Sequence, residues 1–286
     1  MEKPMTQPEL SAPLLLDRYQ PLELLARGGS ASVFRATDIL LGRDVAVKVF
    51  SAGEETDVDK FREELRVLAA ISHHGVVSVL DAGIDQSTAS DPRPFLVMEL
   101  VHGKTVGQLI DDGGLSILAI GGIAFEVAET LEYVHAQGII HRDVSPSNIM
   151  LVDYGTGSSR PRARLTDFGL AVASGWISTE ELAEGTVPYL SPEQALRYRL
   201  TTATDIYSLG LVLLECFTGT PAFPGEPVEA ALARTVDAPP IPSSVPKPWR
   251  LLIDSMTKMA PEDRPSAADV LDSARGALRG MGRRTR

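Results

Sequence analysis

The chain has 286 residues, 44% hydrophobic and 23% charged, enough to bury a large core in one domain or two smaller ones. Its formal charge of -11 and pI near 5.0 argue against a general nucleic-acid binder, which carries a basic stripe. The single cysteine, Cys216, excludes an internal disulfide and a cysteine-built metal cluster, and fits a reducing, cytoplasmic compartment.

Residues 1–17 read as a flexible leader, because Pro4, Pro8 and Pro13 interrupt any regular pattern and no charged-then-apolar signal is present. β-rich runs follow at Tyr19 to Ala26, Ser32 to Thr37 and Asp44 to Phe50, separated by turn signals and predicting an antiparallel meander. Phe61, Leu65 and Leu68 recur at helical spacing within a predicted helix from Val58 to Ala70. Two more strands are expected at Val76 to Gly83 and Phe95 to Glu99. After Gly103 the pattern turns helical, at Ile117 to Gln137, Thr204 to Phe217, Trp249 to Met259 and Ser266 to Leu278. The apolar run from Ile206 to Phe217 is shorter than the ~20 residues of a membrane span and reads as a buried helix with Cys216 in the core. No membrane segment is expected. The organisation is thus α+β, with a β-rich part at about 18–101, a joint at about 99–103, a helical part at about 104–278 and a basic tail at 279–286.

The strongest local signal is HRDVSPSN, His141 to Asn148, followed by Asp167-Phe168-Gly169 nineteen residues beyond Asn148. Phosphoryl transfer from ATP needs anionic or amide oxygens to hold magnesium, and a carboxylate to orient the attacking hydroxyl and take its proton. The two motifs supply all three groups. On these residues the chain resembles the eukaryotic-type, or Hanks-type, protein kinase family, whose order of motifs it follows across residues 18–278.

The resemblance implies a protein-kinase-like bilobal fold, with a small antiparallel β-rich N-lobe carrying one key helix and a larger, mainly helical C-lobe. It implies ATP, with magnesium or in its place manganese, and protein substrates bearing Ser or Thr. Asp143 is then the catalytic base, Asn148 and Asp167 the metal ligands, and Arg142 the grip on a phosphorylated loop. Strand alternation puts Ala46 and Lys48 on one face, and in this family such a lysine contacts the α- and β-phosphates and pairs with a helix glutamate. Glu64 fits that spacing better than Glu63. The phosphate loop is Ala26 to Val33, where Gly28 keeps the middle glycine, Ala26 and Ala31 replace the outer two, and Gly29 and Ser30 offer further backbone amides. An apolar adenine pocket is assigned to Val33, Ala46, Met98, the backbone from Glu99 to Val101, and Met150.

Downstream, Gly185 to Ala195 resembles the substrate-docking loop and its closing A-P-E motif, with Ser191 in the alanine place. Glu193 is expected to pair with buried Arg264, and Asp205 to anchor the central helix to the catalytic-loop backbone. Thr186 before Pro188 and Tyr189 has the Ser/Thr-specific form, and the stretch is similar to bacterial Ser/Thr kinases. Ser178, Thr179 and Ser174 are candidate autophosphorylation sites.

One position departs from the pattern. Ser145 stands where Ser/Thr members carry a lysine that neutralises the transferring phosphoryl group. Some bacterial kinases share an HRDVSP stretch, which favours an active enzyme. A pseudokinase serving as a nucleotide-binding scaffold, and a small-molecule phosphotransferase of related fold, stay open. Ser191-Pro-Glu193 and the PEDRP segment favour a protein substrate. His73, His74, His102 and His135 show no carboxylate or cysteine at metal-ligand spacing; His73 fits the position after the Glu64 helix, and the others read as capping or surface residues. A soluble kinase and the catalytic part of a membrane-anchored kinase are both compatible with the resemblance, as is a homodimer.

Overall fold

The computed structural model describes residues 15–28, 31–50, 70–85, 93–155, 160–167 and 187–282. The described residues up to Phe50, with those of Ser78–Leu100, form one compact unit, and those of Ala70–Val77, with Val101 onward, form a second.

The first unit is an antiparallel sheet. Its strands are β1 (Tyr19–Arg27), β2 (Ala31–Asp38), β3 (Arg43–Phe50), β4 (Val79–Asp85) and β5 (Arg93–Glu99), in the order β1-β2-β3-β5-β4. Because side chains alternate across a pleated strand, one face takes Ala36, Val45, Val47, Phe95 and Val97, which close a core with Leu15 and Tyr19. The register puts Lys48 opposite Val33 and Leu96, and Ala46 opposite Met98, so these five share the other face. Arg18 knots the unit together. It donates to Asp38 Oδ1 at 2.8 Å and Oδ2 at 2.7 Å, and to Asp81 at 3.3 Å, while the Tyr19 hydroxyl donates to Asp81 at 2.6 Å. The Arg18 hydrogen bonds, offsetting burial, hold the Asp38 carboxyl down to about 2.

The second unit is mainly helical. Its helices are α1 (Val106–Asp111), α2 (Ile117–Ala136), α3 (Pro192–Ala195), α4 (Ala203–Thr218), α5 (Pro227–Ala233), α6 (Lys247–Met256) and α7 (Ala267–Gly282). A small antiparallel sheet joins β6 (Lys104–Thr105), β7 (Ile149–Val152) and β8 (Arg162–Leu165). Every residue of α4 from Thr204 to Cys216 is buried, as an apolar run bounded by Gly219 in the left-handed region predicts. Burial pushes the Cys216 thiol well up, which leaves it an unreactive core group. Gly210 lets α4 approach α6 closely: a Cβ there would stand 2.8 Å from Thr257 Cγ2 and 3.1 Å from Met256 Cβ.

The expected strand from Val76 begins only at Val79, because the preceding residues pair elsewhere. Val77 N donates to Leu165 O at 2.9 Å and Leu165 N to Gly75 O at 2.7 Å, tying residues 75–77 to β8. The helix expected from Trp249 starts at Lys247, after Pro246, and ends at Met256, where Thr257 leaves helical geometry. The expected helix at 58–70 lies outside the described residues except for Ala70.

Candidate active site

The loop from His141 to Asn148 leads into β7 and is held by buried polar groups. Asp205, in the first turn of α4, is fully buried. Its Oδ2 accepts from His141 N and from His135 Nε2, and its Oδ1 from Arg142 N, each at 2.8 Å. A buried carboxylate tolerates loss of water only when donors replace it; this one recruits two consecutive backbone amides of the loop. Arg142 sits at φ 68°, left-handed for a residue with a Cβ, at a cost of about 1–3 kcal/mol. Its amide is held by Asp205, and its carbonyl accepts from Gln194 Nε2 of α3 at 2.8 Å.

His141 is fully buried, and desolvation lowers its pKa, so the ring is neutral. With the proton on Nε2, it donates to Thr166 O at 3.0 Å while Nδ1 accepts from Asp143 N at 3.3 Å. One tautomer satisfies both contacts and spans the two motifs.

Asn148 orients Asp143. Its Nδ2 donates to the Asp143 carbonyl at 2.9 Å and to Asp143 Oδ2 at 2.8 Å. Both amide hydrogens are therefore used, and the amide oxygen is the atom offered to a cation. Asn148 O accepts from Thr166 N at 2.9 Å, which fixes the residue preceding Asp167. Asp167 stands at φ 54°, a second left-handed position at a motif residue. A carboxylate and an amide oxygen on neighbouring, hydrogen-bonded segments suit a hard divalent ion such as magnesium. Ser145 is buried, its hydroxyl 2.9 Å from that of Ser147.

In the strand unit, Lys48 shares a sheet face with Val33, Ala46 and Met98, and its ammonium stands 5.6 Å from the Phe50 ring centroid. Ala26 pairs with Val33, Ala31 pairs with Phe50, and Gly28 N donates to Ala31 O at 2.9 Å. A Cβ on Gly28 would meet only Ala31 O, at 3.6 Å, so the described packing leaves room for a side chain there. Glu99 is held by Ser78: its Oε1 accepts from Ser78 N at 2.7 Å and its N donates to Ser78 O at 3.0 Å. Within the helical unit, Val101 precedes β6, and Met150 lies in β7 opposite Thr105 and Arg164. Gly29, Ser30, Glu64, Phe168, Ser174, Ser178, Thr179 and Thr186 lie outside the described residues.

Glu193 and Arg264 meet in a buried bidentate pair, Nη1 to Oε1 at 2.7 Å and Nη2 to Oε2 at 2.9 Å. Burial alone would raise the Glu193 pKa, but the hydrogen bonds and charge of Arg264 keep it below the ordinary range. The segment before α3 is fastened on the other side. Ser208 Oγ donates to Tyr189 O at 2.8 Å, buried Arg234 to Leu190 O at 2.8 Å, and the Tyr189 hydroxyl to Glu215 at 2.6 Å.

Sequence reasoning passed over Gln194, although Ser191-x-x-Gln194 carries a capping-box signal. Both arms form: Ser191 N donates to Gln194 Oε1 at 2.9 Å, and Gln194 N to Ser191 Oγ at 3.3 Å. His135, expected at a cap or the surface, is a nearly buried partner of Asp205. Sequence spacing offered the histidines no carboxylate, yet the fold brings one from a distance: Glu129 of α2 places Oε2 3.2 Å from His74 Nε2, with His73 beside it. Those side chains already have protein partners. His73 Nδ1 accepts from Gly75 N at 3.1 Å, and Arg162 Nη2 lies 3.4 Å from His74 Nε2.

Comparison with known proteins gives a concordant picture. The family model described as protein kinase domain matches residues 19–274. The serine/threonine-protein kinase PknA of Mycobacterium tuberculosis is 34% identical over 278 residues, covering 94% of this chain and 63% of the relative. The serine/threonine-protein kinases PknB of Mycobacterium leprae and Mycolicibacterium smegmatis are 38% identical over 239 residues and 39% over 238, covering 81% and 80% of this chain and 37% of each relative. The chain thus spans less than two thirds of the length of these relatives.

Proposed function

The chain belongs to the protein kinase domain family, and from that premise we propose that it transfers the γ-phosphate of ATP to Ser and Thr hydroxyls of protein substrates. The observation that carries this reading is the Asn148 clamp, whose amide NH2 holds the Asp143 carbonyl and carboxylate and so leaves the amide oxygen as the atom that could take a cation. Asp143 orients the acceptor hydroxyl and takes its proton. Asn148 Oδ1 and Asp167 hold magnesium, which when bound neutralises charge on the ATP phosphates. Lys48 takes the α- and β-phosphates, and Val33, Ala46 and Met98 offer the adenine an apolar surface. Gly28 supports the phosphate-loop reading, because the described packing does not itself require a glycine there.

A second reading, a nucleotide-binding module without transfer, rests on Ser145. Its buried hydroxyl faces Ser147 and supplies no cation where the family carries a lysine. Labelled ATP with magnesium, given to the wild-type chain and to Asp143→Asn, alone and with a general basic protein substrate, separates the two. Incorporation lost in the variant supports transfer; ATP binding with no incorporation in either supports the second reading.

Ser178, Thr179 and Ser174 are the proposed autophosphorylation sites, each phosphate bringing a charge of about -1.5 to -2 for Arg142 to engage. Mass spectrometry after incubation with ATP that finds no phosphate in residues 170–186 would exclude them. We place the reaction in the cytoplasm, where ATP is available, with cell fractionation as the check. Among the described residues no helix is long and apolar enough to cross a membrane.

A further inference from the structure

We infer that Gln194 is a positioning residue for phosphoryl transfer, its carboxamide locking the Arg142–Asp143 peptide to the start of α3; the inference rests on the transfer reading above. Three observations carry it. First, Gln194 is buried and its amide is used at both ends, with Oε1 accepting from Ser191 N at 2.9 Å and Nε2 donating to Arg142 O at 2.8 Å. Second, this arrangement fixes the amide's orientation. A flipped amide would set its NH2 against Ser191 N–H and its oxygen against Arg142 O, losing both bonds to like-on-like contacts.

Third, the carbonyl it holds belongs to a strained residue. Arg142 is left-handed at φ 68°, a region that a residue with a Cβ leaves unless its surroundings over-determine it. Asp205 holds the amide on one side of that residue, and Gln194 holds the carbonyl on the other. That carbonyl is part of the same peptide plane as Asp143 N, so rotation of the plane moves Asp143 directly. Asp143 N in turn donates to His141 Nδ1 at 3.3 Å, and the Asp143 side chain is held by Asn148 at 2.8 Å. Releasing the Gln194 bond lets Arg142 relax and carries the carboxylate away from the hydroxyl it orients. Displacements near 1 Å at a reacting centre cost up to roughly 100-fold in rate.

The same side chain also caps α3, so the test must separate capping from positioning. Gln194→Glu keeps an acceptor for Ser191 N but cannot donate to Arg142 O when ionised. Gln194→Met fills the space and makes neither bond. Ser191→Ala removes the hydroxyl that accepts from Gln194 N and leaves the carboxamide's two bonds in place. All are assayed below their melting temperatures, with rates normalised to folded protein. Both Gln194 variants are expected to lose kcat by roughly 10- to 100-fold, with the KM for ATP within about twofold because Gln194 is bonded to Arg142, a residue not assigned to the nucleotide. Ser191→Ala is expected to melt earlier and keep its kcat. A kcat unchanged in both Gln194 variants, or equally reduced in Ser191→Ala, would overturn the inference. A wild-type chain that transfers no phosphate would instead overturn the transfer reading. Loop positioning is then read from amide exchange: faster exchange of residues 141–148 in Gln194→Glu supports it, and identical exchange refutes it.

Discussion

Replacing Asp205 with Asn asks whether one buried carboxylate holds the loop from His141 to Asn148. In the wild-type chain Oδ2 accepts from His141 N and His135 Nε2, and Oδ1 from Arg142 N, all at 2.8 Å. Asn keeps the shape but has a single acceptor oxygen. If that oxygen keeps the His141 and His135 contacts, the new NH2 faces Arg142 N–H, donor against donor. An orphaned buried donor costs about 1–3 kcal/mol, and the two surviving bonds fall from ~1.5–3 to ~0.5–1.5 kcal/mol as the charge is lost. The sum is roughly 3–6 kcal/mol, a large fraction of a typical total stability of about 5–15 kcal/mol. In domains of about 150–250 residues each kcal/mol moves the midpoint by about 2–4 °C, so melting is expected on the order of 10 °C lower. Thermal unfolding by circular dichroism, with amide exchange at residues 141–143, provides the assay. A variant melting within about 2 °C of wild type, well under the expected shift, with unchanged exchange, would refute the anchoring argument.

Arg264→Met should destabilise by about 3–5 kcal/mol, because it strands Glu193 among buried groups with Thr204 Oγ1, at 2.8 Å, as a remaining donor. Adding Glu193→Gln should recover part of the loss, as a double-mutant cycle of melting curves would register. Acid should expose the Arg18–Asp38 knot. The folded Asp38 pKa of about 2 lies below an unfolded value near 3.9, so its contribution is full above that value and disappears as pH falls through about 2. Asp38→Asn should therefore flatten the acid limb of a stability–pH curve over that window, and an unchanged limb would count against it. Two glycine-to-alanine changes should differ in sign. Gly276→Ala, at an exposed position of α7, meets nothing within 4 Å and should stabilise by about 0.5–1 kcal/mol. Gly210→Ala meets Thr257 Cγ2 at 2.8 Å, and overpacking of about 1–3 kcal/mol should exceed that gain, as paired melting curves will show.

The long elements were readable because their apolar spacing is strong. Ile117 to Gln137 was expected helical and the helix runs Ile117–Ala136, and Thr204 to Phe217 lies within Ala203–Thr218. Strand alternation also put Ala46 and Lys48 together before any register was known, and the register adds Val33, Leu96 and Met98 to their face. Short elements escaped. β6 has two residues, α1 and α5 have six and seven, and none is long enough to show a period. The start of β4 was misplaced because a tertiary pairing with Leu165 captures Val77, and local pattern carries no trace of that. In the candidate site, motif residues pointed to the candidate chemistry, but the resemblance rather than spacing implied the links from Asp205 to the loop and from Glu193 to Arg264. The partners are 64 and 71 residues apart. Gln194 was missed for a different reason. Its local signal reports a helix start, and the second use of the same amide appears only when Arg142 O arrives from 52 residues away.

The proposed role of Asp143, held by Asn148, is to serve transfer from ATP. It is tested most directly by following labelled phosphate from ATP and magnesium into a basic protein substrate, with the wild-type chain beside Asp143→Asn under identical conditions. Incorporation by the wild type on Ser and Thr, and its loss in the variant, is the expected result. Equal incorporation by both, or none by a folded wild-type chain that binds ATP, would contradict it.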